Sequence, residues 1–355
     1  MLVLEDIICG ISGALNSINQ SVMAMSFGFA MLPSALAYLV GILFCVIFRS
    51  ALPLSFQAET IIMAGSMGRD RRERLTIVFC AGLGMALLGG IGLLDDIIAL
   101  AGDNIISAMM CGVGIMLCRL AFDMGKRHRI IGWLSIGTSI IMYLLTQNIG
   151  YASLVPIILC AVAARVLKIE TEVKMETGDR FQLQKPIFNF TVVRGVLAVM
   201  CLTIGGNIAA SGITSGMSGL ETDVNIVSVY SGLADALSSM FGGSPISVVI
   251  SPSAAAPHPV VSAVILMAIM MVILLSRQLP KIIRLLPEGS VAGVLFVLGS
   301  FMTLPENLSI AFSGAAPGDA LACSVTLAVT AVCDPFVGMI AGMVVRVIAA
   351  PLGLA

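Results

Sequence analysis

The feature that most constrains this chain is a series of apolar runs, most close to 20 residues long, separated by short polar or glycine- and proline-containing breaks. A helix that crosses the hydrocarbon core of a bilayer needs about 20 such residues. Only 11% of the 355 residues are charged and 58% are hydrophobic, which is too little charge to cover a soluble protein of this size. We therefore predict an all-α polytopic protein of the cell (inner) membrane, with the lipid bilayer as its surroundings.

Several function classes are excluded by patterns that the sequence lacks. The net charge is −1 and there is no long basic run, so a nucleic-acid partner is not expected. There is no G-x-x-x-x-G-K-[ST] motif and no nucleophilic triad, so we predict neither an enzyme nor an ATP-driven pump, and no cofactor. The nine cysteines form no C-x-x-C pair and are interpreted as small buried side chains, so no metal site is predicted.

The apolar runs divide into seven before and seven after one long polar stretch. We assign residues 1–167 to a first repeat, 168–189 to a polar linker and 190–355 to a second repeat. The predicted spans of the first repeat cover 7–27, 28–48, 52–66, 74–94, 104–124, 130–147 and 151–167. Those of the second cover 190–211, 224–242, 244–256, 259–277, 287–304, 318–333 and 335–350.

The third span of each repeat is too short or too broken to cross as an ordinary helix. Within residues 51–65 and 242–257, an ungapped alignment matches Pro53 and Ser55 to Pro245 and Ser247, and Glu59 to Ser251. Broken segments at matching positions of two halves are typical of inverted-repeat transporters with a site at the bilayer midplane. An odd number of spans in each half makes the second copy enter the membrane from the opposite side. The sequence thus predicts a 7+7 inverted repeat.

The basic residues give a prediction of orientation. Of the 19 Lys and Arg residues, 16 fall in or beside odd-numbered connections, whereas the even-numbered connections carry only Arg49. The positive-inside rule makes the odd connections cytoplasmic and places both termini outside.

Parts of the sequence resemble two related transporter families. The stretches VFCAGLGMALLGGIGLLDDII (78–98), GVGIML (112–117), GLADALSSMFGGSPISVVIS (232–251) and LPKIIRLLPEGSVAGVLFVLG (279–299) are similar to nucleobase:cation symporters, the xanthine/uracil and guanine/hypoxanthine permeases. The first span, DIICGISGALNSINQ (6–20), and the stretch GDALACSVTLAVTAVCDPFVGMIAGMVV (318–345) resemble sulfate-permease-type anion transporters.

These resemblances imply a secondary transporter in which a core domain (spans 1–4 and 8–11) moves against a gate domain (spans 5–7 and 12–14). Short extended stretches in spans 3 and 10 would lead into two half-helices whose N-termini meet at the centre. The main expectation is a permease for a nucleobase-like small polar solute, coupled to H⁺ or Na⁺. A carrier or channel for a small inorganic or carboxylate anion is the alternative, and a homodimer is the assembly to test. The families keep their termini in the cytoplasm, which opposes the charge distribution, so orientation stays open.

This sequence departs from the symporter pattern at two positions. The symporters hold the nucleobase with acids in spans 8 and 10, but span 8 here has no acid and the span 10 position is Ser251. Glu59, the repeat mate of Ser251, is therefore the leading candidate to bind substrate or carry the coupling ion, because an intramembrane carboxylate is costly without a function. The other predicted substrate-binding residues are polar groups within spans: Asn19, Gln20, Gln57, Thr203, Asn207, Ser247, Ser251 and Ser253.

Overall fold

The computed structural model describes residues 4–127, 129–147, 149–167, 180–279, 288–313 and 317–349. These ranges are almost entirely helical, as the apolar composition predicts. The described helices before residue 168 are α1 (Leu4–Ser26), α2 (Ala35–Phe48), α3 (Ala58–Met67), α4 (Arg71–Ile91), α5 (Leu94–Ala101), α6 (Asp103–Arg127), α7 (Arg129–Thr146) and α8 (Ile149–Val166). Those after residue 189 are α9 (Phe190–Ser218), α10 (Val224–Met240), α11 (Pro259–Leu275), α12 (Ala292–Val297), α13 (Leu304–Ala311), α14 (Pro317–Val332) and α15 (Pro335–Ala349).

Five helical segments in the described ranges are long and apolar enough to cross a membrane by themselves. They are α4, α6, α7, α9 and the continuous stretch Ala292–Ala311. Shorter apolar helices of 10–17 residues, α11 and α15 among them, accompany these five. The prediction of a multi-pass helical membrane protein is thus confirmed, while the count of fourteen spans stays a prediction.

Two boundaries differ from those predicted. A separate helix, α5, follows α4 because Gly92 and Gly102, with φ of +77° and +78°, break the chain on either side of it. Span 12 was expected to end at residue 304, before Pro305, but the helix continues to Ala311. Proline is tolerated there because Pro305 directly follows the π-helical segment Leu298–Thr303, where the Leu304 N–H bonds to the Gly299 carbonyl and the regular hydrogen-bond pattern of an α-helix is already interrupted.

The broken segments are extended where the sequence places prolines. Strands β1 (Leu54–Ser55) and β2 (Ser247–Val248) pair antiparallel, with Leu54 opposite Val248 and Ser55 opposite Ser247. The Val249 N–H donates to the Pro53 carbonyl at 3.1 Å. All four paired residues are buried. The strands therefore provide hydrogen-bond partners for each other's backbone N–H and C=O groups at a depth where water is excluded.

The two half-helices expected after these strands are not equivalent. After β1, α3 runs for 10 residues, but after β2 there is only a four-residue 3₁₀ turn, Pro252–Ala255. Prolines at 252, 257 and 259 explain the difference, because each lacks the N–H that a continuing helix needs. The expected pair of facing helix N-termini is therefore corrected to a single one, that of α3.

The most extensive contacts lie within two sets of helices. The first set, α1–α4 and α9–α11 with both strands, is held by the pairs α4–α10, α1–α11 and α2–α11. The second set, α6–α8 and α12–α15, is held by α14–α15, α7–α8 and α6–α14. Glycines bring helix backbones together within each set, for example Gly82 against Gly232 and Gly114 against Gly299.

Candidate functional site

A cavity of about 130 Å³ lies between the two helix sets. Its volume is several times the roughly 30 Å³ that one water molecule occupies in the liquid, so it has room for a small solute. Its walls come from α1, the start of α3, α9, the end of β2 and the segment that joins α12 to α13. The lining residues are Gln20, Gln57, Glu59, Met110, Gly206, Ala209, Ala210, Val248, Val249, Ile250, Leu298, Met302, Thr303, Glu306 and Asn307.

The N-terminus of α3 forms one wall of the cavity, because the extended segment that contains β1 ends there and α3 begins. Gln57 is the N-cap residue, with an extended backbone at φ −123° and ψ 122°. Its Oε1 accepts a hydrogen bond from the Thr60 hydroxyl at 2.9 Å, which directs the amide toward α9. The Gln57 Nε2 lies 3.8 Å from where a Cβ on Gly206 would be, so this glycine leaves the amide room.

Glu59 lies in the first turn of α3 and lines the cavity. A carboxylate near a helix N-terminus is stabilised by the helix dipole and by free backbone N–H groups. The same N–H groups make the end of α3 a place where a negatively charged or strongly polarised oxygen can bind. Glu59 is thus positioned where a bound solute would meet both a carboxylate and backbone donors.

Gln20 completes the α1 wall and has an unsatisfied polar atom. Its side chain is only 6% exposed, and its Oε1 has no hydrogen-bond partner in the described structure. A buried polar atom without a partner costs roughly 1–3 kcal/mol. An orphaned acceptor in a cavity wall therefore indicates a position where a ligand or water supplies the missing donor.

The opposite wall contains polar residues that the sequence analysis did not select. A six-residue π-helical segment, Leu298–Thr303, interrupts span 12 and presents Thr303 to the cavity beside Glu306 and Asn307. The Asn307 Nδ2 donates to the Thr303 carbonyl at 2.8 Å. Segments of π-helix occur frequently at functional sites.

Glu306 and Asn307 were missed because the predicted span ended at residue 304, whereas Thr303 lay within that span and was not selected. A sequence signal was nevertheless present, since Pro305, Glu306 and Asn307 directly follow an apolar run. Continuing the helix by two turns would have brought the acid and the amide within the membrane-embedded region.

Two predicted site residues on α9 lie outside the cavity lining. The Asn207 Nδ2 donates to the Ser228 hydroxyl at 2.8 Å and to the Ser231 hydroxyl at 3.4 Å. The Thr203 hydroxyl donates to the Val199 carbonyl at 2.9 Å, one turn earlier in the same helix. Asn207 therefore joins α9 to α10, and Thr203 satisfies its own helix.

The three serines of the span 10 region are buried but are not among the cavity-lining residues. The Ser247 hydroxyl donates to Thr60 Oγ1 at 3.2 Å, which ties β2 to α3. The Ser251 Oγ caps the 3₁₀ turn by accepting from the Ser253 N–H at 3.3 Å. Ser253 is fully buried, and its hydroxyl has no partner in the described part of the chain. The side chain of Asn19 lies outside the described residues.

The cavity is rich in hydrogen-bond acceptors and lacks a positive side chain. Glu59 and Glu306 supply carboxylates from its two sides, and Gln20, Gln57 and Asn307 supply amides. Among its described lining residues there is no Lys, Arg or His. A bound solute would thus find donors in the amides and the α3 N-terminus, and it would need a proton or cation to offset the two carboxylates.

Comparisons with known proteins identify the fold. No protein-family model and no curated protein sequence matches this chain. Among solved structures, the transmembrane domain of a cyanobacterium bicarbonate transporter, BicA, is similar with a TM-score of 0.67 at 16% identity, covering 96% of this chain and 97% of that one. Murine Solute Carrier 26 family member A9, an anion transporter in the inward-facing state, gives a TM-score of 0.68 at 13% identity, covering 99% of this chain and 68% of that one.

A further structure of SLC26A9 gives a TM-score of 0.70 at 12% identity and covers 98% of this chain and 65% of that chain. Identities this low show the fold alone. They confirm the expected resemblance to sulfate-permease-type proteins at the level of architecture, whereas none of these structures is a nucleobase permease. The chain has the transmembrane fold of the SLC26 and sulfate-permease-type transporters.

Proposed function

We propose that this protein is a secondary active transporter that moves a small polar solute by alternating access. The observation that carries the proposal is the cavity itself, which is lined from both helix sets by acids, amides and an orphaned glutamine oxygen. We assign α1–α4 and α9–α11 to a core domain and α6–α8 and α12–α15 to a gate domain. Motion of one set against the other would open and close a cavity that lies between them.

The strand register supports the proposed inverted repeat. The repeat alignment matches Ser55 to Ser247, and the same two residues lie opposite each other in the antiparallel sheet. A two-fold axis that relates the two repeats must place each residue on its aligned mate. Such an axis exchanges Ser55 with Ser247, Leu54 with Ile246, and Phe56 with Val248. The pairing of Leu54 with Val248 is consistent with that exchange, because its image is Ile246 with Phe56.

Two substrate classes are to be tested. A small inorganic or carboxylate anion is favoured by the fold, because the similar structures are described as bicarbonate and anion transporters, and by the backbone donors of α3. A nucleobase-like neutral solute is favoured by Glu59, Glu306 and the amides, because together they offer the acceptors and donors that the edge of a heterocycle requires.

Glu59 is the proposed coupling residue in both cases. With an anion, its protonation would remove a repulsive charge as the solute binds. With a neutral solute, its carboxylate would accept a hydrogen bond and its proton would travel with the cargo. Either role makes uptake depend on the proton gradient, or on Na⁺ if that ion replaces the proton.

Uptake into proteoliposomes tests the proposal. Labelled bicarbonate, sulfate, xanthine and uracil are compared with and without an inward proton or Na⁺ gradient, for the native protein and for Glu59→Gln. We expect one class to be taken up, and Glu59→Gln to lower gradient-driven uptake about tenfold, equivalent to about 1.4 kcal/mol. Glu5→Gln, which removes an exposed acid far from the cavity, is the matched control and keeps full uptake.

The outcomes separate the parts of the proposal. Uptake of none of the solutes under any gradient would argue against transport of these classes. If Glu59→Gln shows the same uptake and the same gradient dependence as the native protein, Glu59 has no part in coupling. The proposal that the protein is a transporter would still hold.

A further inference from the structure

Most basic residues of the described chain lie on one of two opposite faces, where a few acids such as Asp70 and Glu73 accompany them, whereas Arg49 and Arg346 lie on the other. On one face, hydrogen bonds join five odd-numbered connections. Arg71 donates to the Gly28 and Gly242 carbonyls at 2.8 and 3.3 Å, and Arg74 donates to the Phe27 carbonyl at 2.8 Å. The basic residues gathered here, which define the basic face, are Arg69, Arg71, Arg72, Arg74, Arg180, Lys185 and Arg194.

The described end of the linker and the last connection belong to the same face. Arg72 Nε donates to the Lys185 carbonyl at 2.8 Å, and the Gln184 N–H donates to the Met240 carbonyl at 2.8 Å. Arg194 forms an ion pair with Asp334 at 2.6 Å. The basic residues are thus held together by tertiary contacts, and their grouping is a property of the folded molecule.

Both ends of the described chain lie on the other face. Near the N-terminus, Asp6 accepts from the His258 N–H at 2.8 Å, which binds it to the connection before α11. Near the C-terminus, Arg346 Nη1 donates to the Ala101 carbonyl at 2.9 Å, which binds it to the connection before α6. The exposed acids that accompany these connections, which define the acidic face, are Glu5, Asp96, Asp103, Glu221 and Asp223.

The remaining basic clusters extend the basic face by helix direction. Helix α6 spans 25 residues from Asp103 on the acidic face to Lys126 and Arg127 at its other end, a length of about 37 Å that is sufficient to cross the bilayer. Helix α11 begins beside His258 and is followed by Arg277. Both helices therefore deliver their basic ends to the side opposite the termini.

We propose that the basic face lies against the anionic phospholipid headgroups of the cytoplasmic leaflet, so that Leu4 and Ala349 both lie outside. Basic residues that flank membrane spans are retained on the cytoplasmic side and attracted to its anionic lipids. The acidic face has no electrostatic attraction to the anionic lipids of that leaflet and is therefore placed on the opposite side of the membrane. This orientation is independent of which solute the protein carries.

The cavity lining extends across the middle of the molecule, between the two faces. Helix α9 starts on the basic face, and Gly206, Ala209 and Ala210 line the cavity from its second half. Span 12 likewise ends at Ala311, and its exposed residue Glu306 lies close to that end. Gln20, by contrast, lies in the last third of α1, which ends beside the basic face, so the cavity lies near the middle of the membrane-spanning region.

Cysteine labelling measures the orientation directly. In a variant whose nine cysteines are replaced, Ser313→Cys and Ser276→Cys introduce exposed thiols after α13 and α11, on the acidic and basic faces respectively. We expect a membrane-impermeant maleimide to label position 313 in intact spheroplasts and position 276 only after permeabilisation.

A second measurement uses the native cysteines and so does not depend on the folding of the substituted protein. Alkaline phosphatase fused after the C-terminus should be active, and a green fluorescent protein fused there should be dark. Labelling at 276 from outside, equal labelling at 276 and 313, or a fluorescent and phosphatase-inactive C-terminus would each overturn the orientation.

Discussion

Gln20 shows how a single buried side chain can reveal a ligand position. Its unpaired Oε1 lowers the stability of the protein when no ligand is bound. Destabilising groups of this kind are retained where activity requires them. Replacing it with leucine removes the unsatisfied acceptor at nearly constant volume. We predict that Gln20→Leu leaves the thermal midpoint in detergent equal or higher, while solute uptake falls about tenfold, a loss of about 1.4 kcal/mol of binding.

Thr214 provides the matched control for this substitution. Its hydroxyl is also buried without a partner in the described structure, but it does not line the cavity. Thr214→Val should stabilise the protein similarly and leave uptake unchanged. Full uptake by Gln20→Leu would show that the orphaned oxygen has no part in solute binding.

At the scale of elements, the α4–α10 pair depends on glycines that let two backbones touch. A Cβ on Gly82 would lie 2.6 Å from the Gly232 carbonyl oxygen and 2.8 Å from the Ala236 nitrogen. Backbone cannot move aside as a flexible side chain can, so the helices would have to separate. We predict that Gly82→Ala lowers the free energy of unfolding by about 1–3 kcal/mol, measured by thermal or denaturant unfolding in detergent.

Gly90 in the same helix separates this packing effect from helix propensity. Nothing lies within 4 Å of a Cβ built there, so Gly90→Ala should be neutral or stabilising by up to about 1 kcal/mol. Equal destabilisation by both substitutions would show that close approach of α4 to α10 is not what Gly82 provides.

For the whole molecule, the proposed mechanism requires the two helix sets to move relative to each other. A Cβ on Gly205 in α9 would lie 3.2 Å from Met110 Cγ in α6, across the boundary between the sets. In the cysteine-replaced background, we predict that an oxidised Gly205→Cys/Met110→Cys pair abolishes uptake and that reduction restores it. Loss of uptake that reduction does not reverse would point to damage from the substitutions, and full uptake while cross-linked would contradict the mechanism.

A cross-link inside the core set is the control for this experiment. A Cβ on Gly10 in α1 would lie 3.1 Å from Ile265 Cβ in α11, and both helices belong to the core set. An oxidised Gly10→Cys/Ile265→Cys pair should form readily and leave uptake unaffected, because these helices move together.

Hydrophobicity and proline placement are local properties, and they determined from the sequence alone that this is a multi-pass helical protein with extended breaks at Pro53 and Pro245. They also singled out Glu59, since an acid within an apolar run is visible without a structure. The short 3₁₀ turn after β2 was missed because the repeat alignment transferred a full half-helix onto a proline-rich segment.

Only the tertiary structure decided which polar groups share a cavity. The rotation of a helix about its axis is set by its packing partners, so Asn207 faces Ser228 and Ser231 while Gln20 faces the cavity. Glu306 and Asn307 join Glu59 because span 12 continues past Pro305 and packs opposite α3 through its π-helical segment. Glu59 and Glu306 are 247 positions apart in the chain, and no local pattern encodes that they line the same cavity.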